Sequence, residues 1–559
     1  MTYRFIKTFI GLLLFSLIVS GCAAGLALKE EPLPRDISAL AEKKKPLEGE
    51  SLKGWGSLDM YTDTVPGMSV DRAYKELIGK KTGVPVIVGV LDSGTDIDHE
   101  DLAAVVWTNK KEVPGNHRDD DKNGFVDDVH GWNFLGEAIH DNLEYTRILK
   151  ILKPKFDGKS PAEIPEDQQE EYALYERAQE KYDQEYGEAK MDGDHYKQLK
   201  KNITELVDQL REVSGKQNLT LKDIQEIDTD DLKIVMASRM IEDVLKGTDS
   251  QDTDEILSGL DEAYTYFNDQ LEYHLNLDYD GRKLTGDDPD DITDTDYGNA
   301  DVIGPSIYKE DILHGTHVAG IIGAIRNNGV GMNGVADNVK LMIIRAVPDG
   351  DEYDKDIALG IRYAVDNGAK VINMSFGKYF STHPQWVIDA LKYAAEHDVL
   401  LVKAAGNEGL DLDKNRVYPN DQWPGQEEEI VDNMIVVGAL DPNFGEDMVA
   451  PFSNYGKNSV DVFAPGVKIW ATAPLNTYKF LQGTSMAAPG VAGVAAVIRS
   501  YFPKLSAAQV KKVIMDSGLT STHKVVLNGE ADNLRPFNEI SRSGNMVNLY
   551  NALIMASKL

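Results

Sequence analysis

Five runs of unbroken apolar and β-branched residues punctuate this chain of 559 residues. They are "VPVIVGVLDSG" (84–94), "KLMIIRAV" (340–347), "AKVINMSF" (369–376), "VLLVKAAGN" (399–407) and "MIVVGAL" (434–440). None alternates apolar with polar residues, so none has a face to show to water. Each reads as a strand buried on both sides. Helical patterns stand between them, at 315–327, roughly 354–367 and 385–397. Strand and helix in regular alternation make a doubly wound α/β fold, a mostly parallel sheet with helices on both faces. In such sheets the functional groups collect beyond the carboxyl ends of the strands. Asp92 and Asn407 both stand at such ends.

One segment breaks the rhythm. Residues 141–276 carry no strand-like run and are rich in Glu, Lys, Gln and Tyr. Within them Leu199, Ile203, Leu206, Leu210 and Val213 recur at spacings of four and three, as do Leu260, Tyr264, Phe267, Leu271 and Leu275. These are amphipathic helices with one apolar stripe each. The segment is expected to be an α-helical insertion, either an appendage whose stripes pack on each other or a lid or partner-docking arm. The α/β domain then comprises 54–140 and 277–559.

The N-terminus has a different character. Arg4 and Lys7 precede a 13-residue apolar run, Phe9 to Gly21. That length suits a signal peptide (1–21) better than a membrane span. Cys22 follows at once, the only cysteine of the chain, so no intrachain disulfide forms. "VSGCAAG" resembles a bacterial lipobox, which implies lipidation at Cys22 and a place at the cell envelope, anchored to the membrane by several acyl chains. Residues 22–53, charged and punctuated by proline, read as a tether. The net charge of −34 repels nucleic acid and anionic lipid surfaces alike, and excludes a nucleic-acid partner.

"HGTHVAG" (314–320) puts His314 and His317 three positions apart, on one helical face. That spacing suits either a metal pair or one base beside one neighbour. "GTSMAAPGVAG" (483–493) places Ser485 where a helix begins, so the helix dipole favours negative charge developing there. A serine becomes a nucleophile only with a base and an orienting acid. The order Asp92, His314, Ser485 is one of the known triad orders.

Around these residues, "VLDSGTDIDHEDL", "HGTHVAGIIGA" and "GTSMAAPGVAG" resemble the three signature blocks of the subtilisin-like serine proteases, and "AAGNEG" (404–409) resembles the family's fourth. The insertion lies outside the resemblance. It implies peptide-bond hydrolysis, with protein or peptide substrates. Ser485 attacks, His314 carries the proton, and Asp92 orients the imidazole. His317 becomes a packing or hydrogen-bonding neighbour. Asn407 supplies an oxyanion donor, whose loss costs roughly two to three orders of magnitude in turnover. Ser375, Phe376 and Gly377 form the edge that pairs with substrate backbone. Ala404, Ala405 and Gly406 floor the pocket for the residue before the cut, and Tyr418 adds a further wall. A broad specificity with a preference for large apolar residues is expected. Between Cys22 and the first globular residues there is too little chain for the propeptide domain usual in the family. "GNMVNLYNALIMASKL" (544–559) resembles the family's last helix.

Two acidic stretches remain. In "DDDKNGFVDD" (119–128), Asp119, Asp121, Asn123 and Asp127 take positions one, three, five and nine of a calcium loop. Position twelve is His130 instead of glutamate, so this is not an EF-hand proper. The second stretch, 286–301, carries seven aspartates. It reads as either a cation site or a solvated linker. The competing functional reading is a catalytically silent scaffold that binds through the insertion.

Overall fold

The structure is a computed structural model that describes residues 26, 28–41, 46–248, 250–305, 311–422, 426 and 428–559. The signal-peptide run and Cys22 lie outside the described residues.

The five apolar runs become the middle of a nine-stranded sheet. Its strands are β1 (Val86–Asp92), β2 (Gly131–Asn133), β3 (Val339–Arg345), β4 (Val371–Met374), β5 (Leu400–Ala404), β6 (Met434–Leu440) and β7 (Val462–Pro465), with β10 (Leu519–Thr520) and β13 (Asn545–Met546) at one edge. The spatial order is β10-β13-β7-β6-β5-β4-β1-β3-β2. Only the β10–β13 pair is antiparallel. Two hairpins, β8 (Ile469–Ala473) with β9 (Thr477–Leu481) and β11 (Lys524–Leu527) with β12 (Glu530–Pro536), stand outside the sheet.

Successive side chains of a strand point to opposite faces, and the two cores follow that rule. On one face Val88, Val90, Leu341, Val371, Leu400, Val402 and Val437 pack with the helices Leu313–Gly323 and Thr484–Tyr501. On the other, Leu91, Ile344, Ile372, Met374, Leu401 and Val436 pack with the helices Asp354–Asp366 and Pro384–Glu396. Asp92 ends β1, Ser375 follows β4, and Asn407 lies just beyond β5, so all three emerge at the carboxyl end of the sheet.

The insertion is helical throughout its core. Helix Glu144–Phe156 leads to a 46-residue helix, Gln169–Ser214, on which the helices Leu232–Thr248 and Thr253–Asp269 fold back. At 1.5 Å per residue the long helix extends about 70 Å. Its apolar stripe buries Ile203, Val207 and Leu210 against Ile234, Ala237 and Ile241, while Val213 is 49% exposed. Nearer the base, Tyr196 stacks on Phe267, and Tyr145, Phe156 and Tyr175 form a cluster with Phe380 of the α/β domain. The second stripe runs past the helix proper, because the chain widens into a π-turn at Gln270–His274 before Leu275. Among the described residues no helix is long and apolar enough to cross a membrane.

The 22–53 segment is less free than a tether. Ile37 is fully buried, its N–H donates to the Thr520 carbonyl at 2.9 Å, and Leu33 N–H donates to Asn551 Oδ1 at 2.7 Å. The charged run is punctuated by Leu26, Ile37 and Leu52, and each finds a place in a core. In the second acidic stretch Asp287 is paired with Arg282 at 2.7 Å and with Lys355 at 2.6 Å, so the protein's own cations neutralise that carboxylate and tie the stretch to the helix Asp354–Asp366.

Candidate active site

Asp92 and His314, 222 positions apart, meet at the carboxyl end of β1. Asp92 Oδ1 lies 2.7 Å from His314 Nδ1 and accepts the Ser93 N–H at 2.8 Å. Asp92 is 1% exposed. The imidazole opens to solvent, with 40% of its side chain exposed. The approach needs glycine at 315, where a Cβ would stand 2.0 Å from the Gly94 carbonyl oxygen. Burial pulls the His314 pKa down, but the charge of Asp92 and the hydrogen bond to it outweigh burial and leave it raised.

His317 is fully buried, one turn further on. Its Nε2 lies 3.1 Å from the carbonyl oxygens of both Ile469 and Lys479, so the proton resides there and is donated to the β8–β9 hairpin. Burial, above all, pushes its pKa down to about 4. These bonds make it a structural neighbour, and among the described residues it belongs to no cluster of metal-ligating side chains.

Ser485 is the second residue of the helix Thr484–Tyr501, which packs against the helix carrying His314. In this rotamer its hydroxyl donates to the Ser375 carbonyl at 3.1 Å. Ser375 Oγ donates to the Ser485 carbonyl at 2.9 Å and accepts from Asn373 Nδ2 at 2.9 Å. The side chain of Ser375 therefore braces the Ser485 turn. Asn407 Oδ1 accepts from Thr484 N at 2.8 Å and from Thr484 Oγ1 at 3.0 Å. With its oxygen committed, its Nδ2 has no hydrogen-bond partner among the described residues and can serve a ligand. Gly483, at φ +147°, adjoins both donors: a Cβ there would stand 3.6 Å from Asn407 Nδ2 and 3.6 Å from Ser485 N. Thr484 was not singled out by sequence reasoning. The signal is its place in "GTS", where a hydroxyl reaches both neighbouring turns.

The substrate-edge residues fall as follows. Phe376 is half-buried and Gly377 exposed. Lys378 and Tyr418 pair through both backbone bonds, at 3.0 and 2.8 Å. Ala404 and Ala405 are buried in the two cores, so their backbone is what they offer to the cleft. Gly406, half-buried, donates its N–H to Thr484 Oγ1 at 3.0 Å. Beyond Tyr418 lies a cavity of about 250 Å³, lined by Ile357, Lys378, Val387, Ile388 and Pro419 among others.

The calcium-loop residues are only partly gathered. Carboxylate oxygens of Glu112, Asp119 and Asp121 lie within 4.8 Å of one another. Asp127, at φ +56°, turns away and accepts the backbone N–H groups of Asn116 and His117. Asn123 is spent on Phe125 N and Asp128. Glu112 takes the place the spacing gave to Asp127. Its Oε1 accepts from Asp120 N and Asp121 N, while its buried Oε2 has no hydrogen-bond partner. Three carboxylates with an orphaned oxygen fit a hard divalent cation such as Ca²⁺.

Comparison with known proteins adds the lineage. The profile described as "Subtilase family" matches residues 83–534. The chain is 38% identical over 259 residues to a thermophilic serine proteinase of Bacillus sp. (strain AK1), covering 46% of this chain and 54% of that protein. It is 41% identical over 217 residues to subtilisin DY of Bacillus licheniformis, covering 38% and 73%. It is 34% identical over 272 residues to subtilisin-like protease 1 of Plasmodium falciparum, covering 46% and 39%. The chain thus spans about half the length of the first of these relatives.

Proposed function

Because the chain belongs to the subtilase family, we propose that it is a serine endopeptidase acting on proteins and peptides through an acyl-enzyme, and that a lipid on Cys22 holds it at a bacterial cell envelope. The observation that carries the reading is the Asp92–His314 hydrogen bond at 2.7 Å beside Ser485 and the Asn407 amide.

In the proposed reaction the Ser485 hydroxyl leaves the Ser375 carbonyl and hydrogen-bonds to His314 Nε2. Oγ then attacks the scissile carbonyl as the imidazole takes the proton. Asp92 holds the tautomer with Nε2 free and stabilises the imidazolium. The oxyanion forms against Asn407 Nδ2 and Ser485 N, donors fixed before the reaction begins. His314 returns its proton to the leaving amine, and water releases the acyl group by the same steps reversed. The exposed edge at Phe376–Gly377 pairs with the substrate strand.

The test is labelling with a fluorophosphonate, which traps an activated serine. The wild-type protein is expected to label and to cleave casein, and Ser485→Ala to do neither. An unlabelled wild-type protein would leave the silent scaffold as the better reading.

Calcium at Glu112, Asp119 and Asp121 belongs to the same proposal, in a structural role. A ligand bound only to the native state stabilises it by mass action, about 2.7 kcal/mol at a hundredfold excess over Kd. Chelation is therefore expected to lower the melting temperature by several degrees, and Glu112→Gln to remove most of that response. A wild-type melting curve indifferent to both chelator and added Ca²⁺ would count against the site.

A further inference from the structure

Arg345 ends β3, and in the sheet it stands opposite Asp92, which ends β1. It is 3% exposed. Among the described residues its hydrogen bonds go to neutral oxygens. Nε donates to the Ser93 carbonyl at 3.1 Å, and Nη2 to the Ala138 carbonyl at 2.7 Å. Nη1 donates to Asn133 Oδ1 at 3.0 Å and to the Gly136 carbonyl at 3.1 Å. Burial lowers its pKa to about 10 against the charges of Asp301, Asp311 and Glu137, and leaves it a cation at neutral pH. A planar guanidinium reaches acceptors in fixed directions. Here the fork joins the turn after β1 to the segment 133–138 that leads into the insertion.

The turn it holds is the one that aims Asp92. Besides His314, the Asp92 carboxylate has one hydrogen-bond donor among the described residues, the Ser93 N–H at 2.8 Å, and its buried Oδ2 has none. Ser93 therefore sets the direction of the carboxylate. Its hydroxyl accepts the N–H of Gly315, next to His314, at 3.3 Å. Its carbonyl accepts from Arg345. The first two bonds join the halves of the Asp92–His314 couple through Ser93, and the third fastens Ser93 to the sheet. The chain closes tightly on the guanidinium. A Cβ on Gly94 would stand 3.1 Å from Arg345 Cδ, and one on Gly304 would stand 2.8 Å from Arg345 Nε.

We propose that Arg345 is a positioning residue: through the Ser93 carbonyl it holds the Asp92–Ser93 turn, and so keeps Asp92 Oδ1 on His314 Nδ1 during turnover. The proposal rests on the serine-endopeptidase reading. Arg345 acts through Ser93 on Asp92 and not on the substrate. A carboxylate held askew stabilises the imidazolium less, and that ion forms only as the reaction proceeds. The loss therefore falls on kcat and not on KM.

The experiment compares the full-chain wild type with Arg345→Met, Arg345→Lys and Gly304→Ala on one fluorogenic peptide. Fluorophosphonate titration, run to completion, counts the competent sites, so kcat is read per site. Arg345→Met is expected to lower kcat per site by about tenfold or more, with KM within about twofold of wild type. Its acid limb should move to lower pH, because Asp92 is what raises the His314 pKa. Arg345→Lys keeps the charge and a donor, and should recover part of both. Gly304→Ala removes no side-chain hydrogen bond but sets a methyl group against Arg345 Nε. It should shift both readouts the same way by less, and it decides the matter if neither Arg345 variant folds. A merely structural role lowers the number of titrated sites and leaves kcat per site and the acid limb unchanged. That result overturns the proposal, as does a loss confined to KM. A wild-type protein that does not label at all overturns the underlying reading instead.

Discussion

Asp92→Asn is expected to lower kcat/KM for peptide cleavage by about 10⁴-fold, the scale on which serine proteases lose activity with the triad acid. The substitution is nearly isosteric, and Asp92 is 1% exposed, so the melting temperature should change little. The loss comes from proton placement. Asp92 Oδ1 accepts from both His314 Nδ1 and Ser93 N, which fixes the imidazole hydrogen on Nδ1 and frees Nε2 to act as the base. An amide oxygen in that place would preserve this arrangement, but an amide nitrogen would put donor against donor and favour the wrong tautomer. The pH profile separates this cause from a general loss of structure. His314 is depressed by burial and raised more strongly by Asp92. The base works only when neutral, so the wild-type rate falls as pH drops through a raised pKa. In Asp92→Asn only burial remains, and the acid limb should move to lower pH. A loss under tenfold, or an acid limb that stays where it was, would show that Asp92 and His314 do not act as a couple.

What could be read from the sequence divides along a physical line. The five strand runs were legible because a strand covered on both faces must be apolar at every position, whatever the loops do. Each observed strand lies inside its run except β3, which begins one residue earlier. The Asp92–His314 contact, between residues 222 positions apart, was legible only through the triad order and the resemblance of the blocks around them to the subtilisin-like signature. Loop conformation was less so. Counting along 119–128 assumed an even wrap around a cation. Positive φ at Lys122, Gly124 and Asp127 bends the chain instead, turning Asp127 onto the Asn116 and His117 N–H groups while Glu112 comes in from the preceding turn. The docking of the 22–53 segment turned on single apolar residues such as Ile37, too sparse to form a period.

Glu144→Ala is expected to destabilise the protein by about 3–5 kcal/mol, the cost of removing one partner from a buried ion network. Glu144 opens the first helix of the insertion and is 1% exposed. Its Oε2 accepts from Arg147 and lies 3.2 Å from Lys378 Nζ. Its Oε1 accepts from Thr382 N and Oγ1 at 3.1 and 2.8 Å. Arg147 donates onward to the carbonyls of Asp351 and Glu352, and Lys378 donates to the Glu352 carbonyl at 2.8 Å. One carboxylate of the insertion thus ties together the two segments, 351–354 and 378–382, that wall the cavity beside Tyr418. Alanine would leave Arg147 and Lys378 facing each other with one fewer anion. Glu144→Gln keeps acceptors for Arg147 and Thr382 and should cost less. Adding Lys378→Met to Glu144→Ala should give a loss that departs from the sum of the two single losses, because both residues belong to one ion network that also holds Asp354. Burial raises the Glu144 pKa, but the charges of Arg147 and Lys378 outweigh it and bring it down to about 2. Its stabilisation is therefore present above the ordinary carboxylate value of 4.5 and lost as pH falls from there towards 2. Denaturant midpoints measured from pH 7 down to 3 should converge for wild type and Glu144→Ala across that window. A difference below 1 kcal/mol at pH 7 would mean that water replaces the carboxylate, and that the insertion is not tied to the cleft through Glu144.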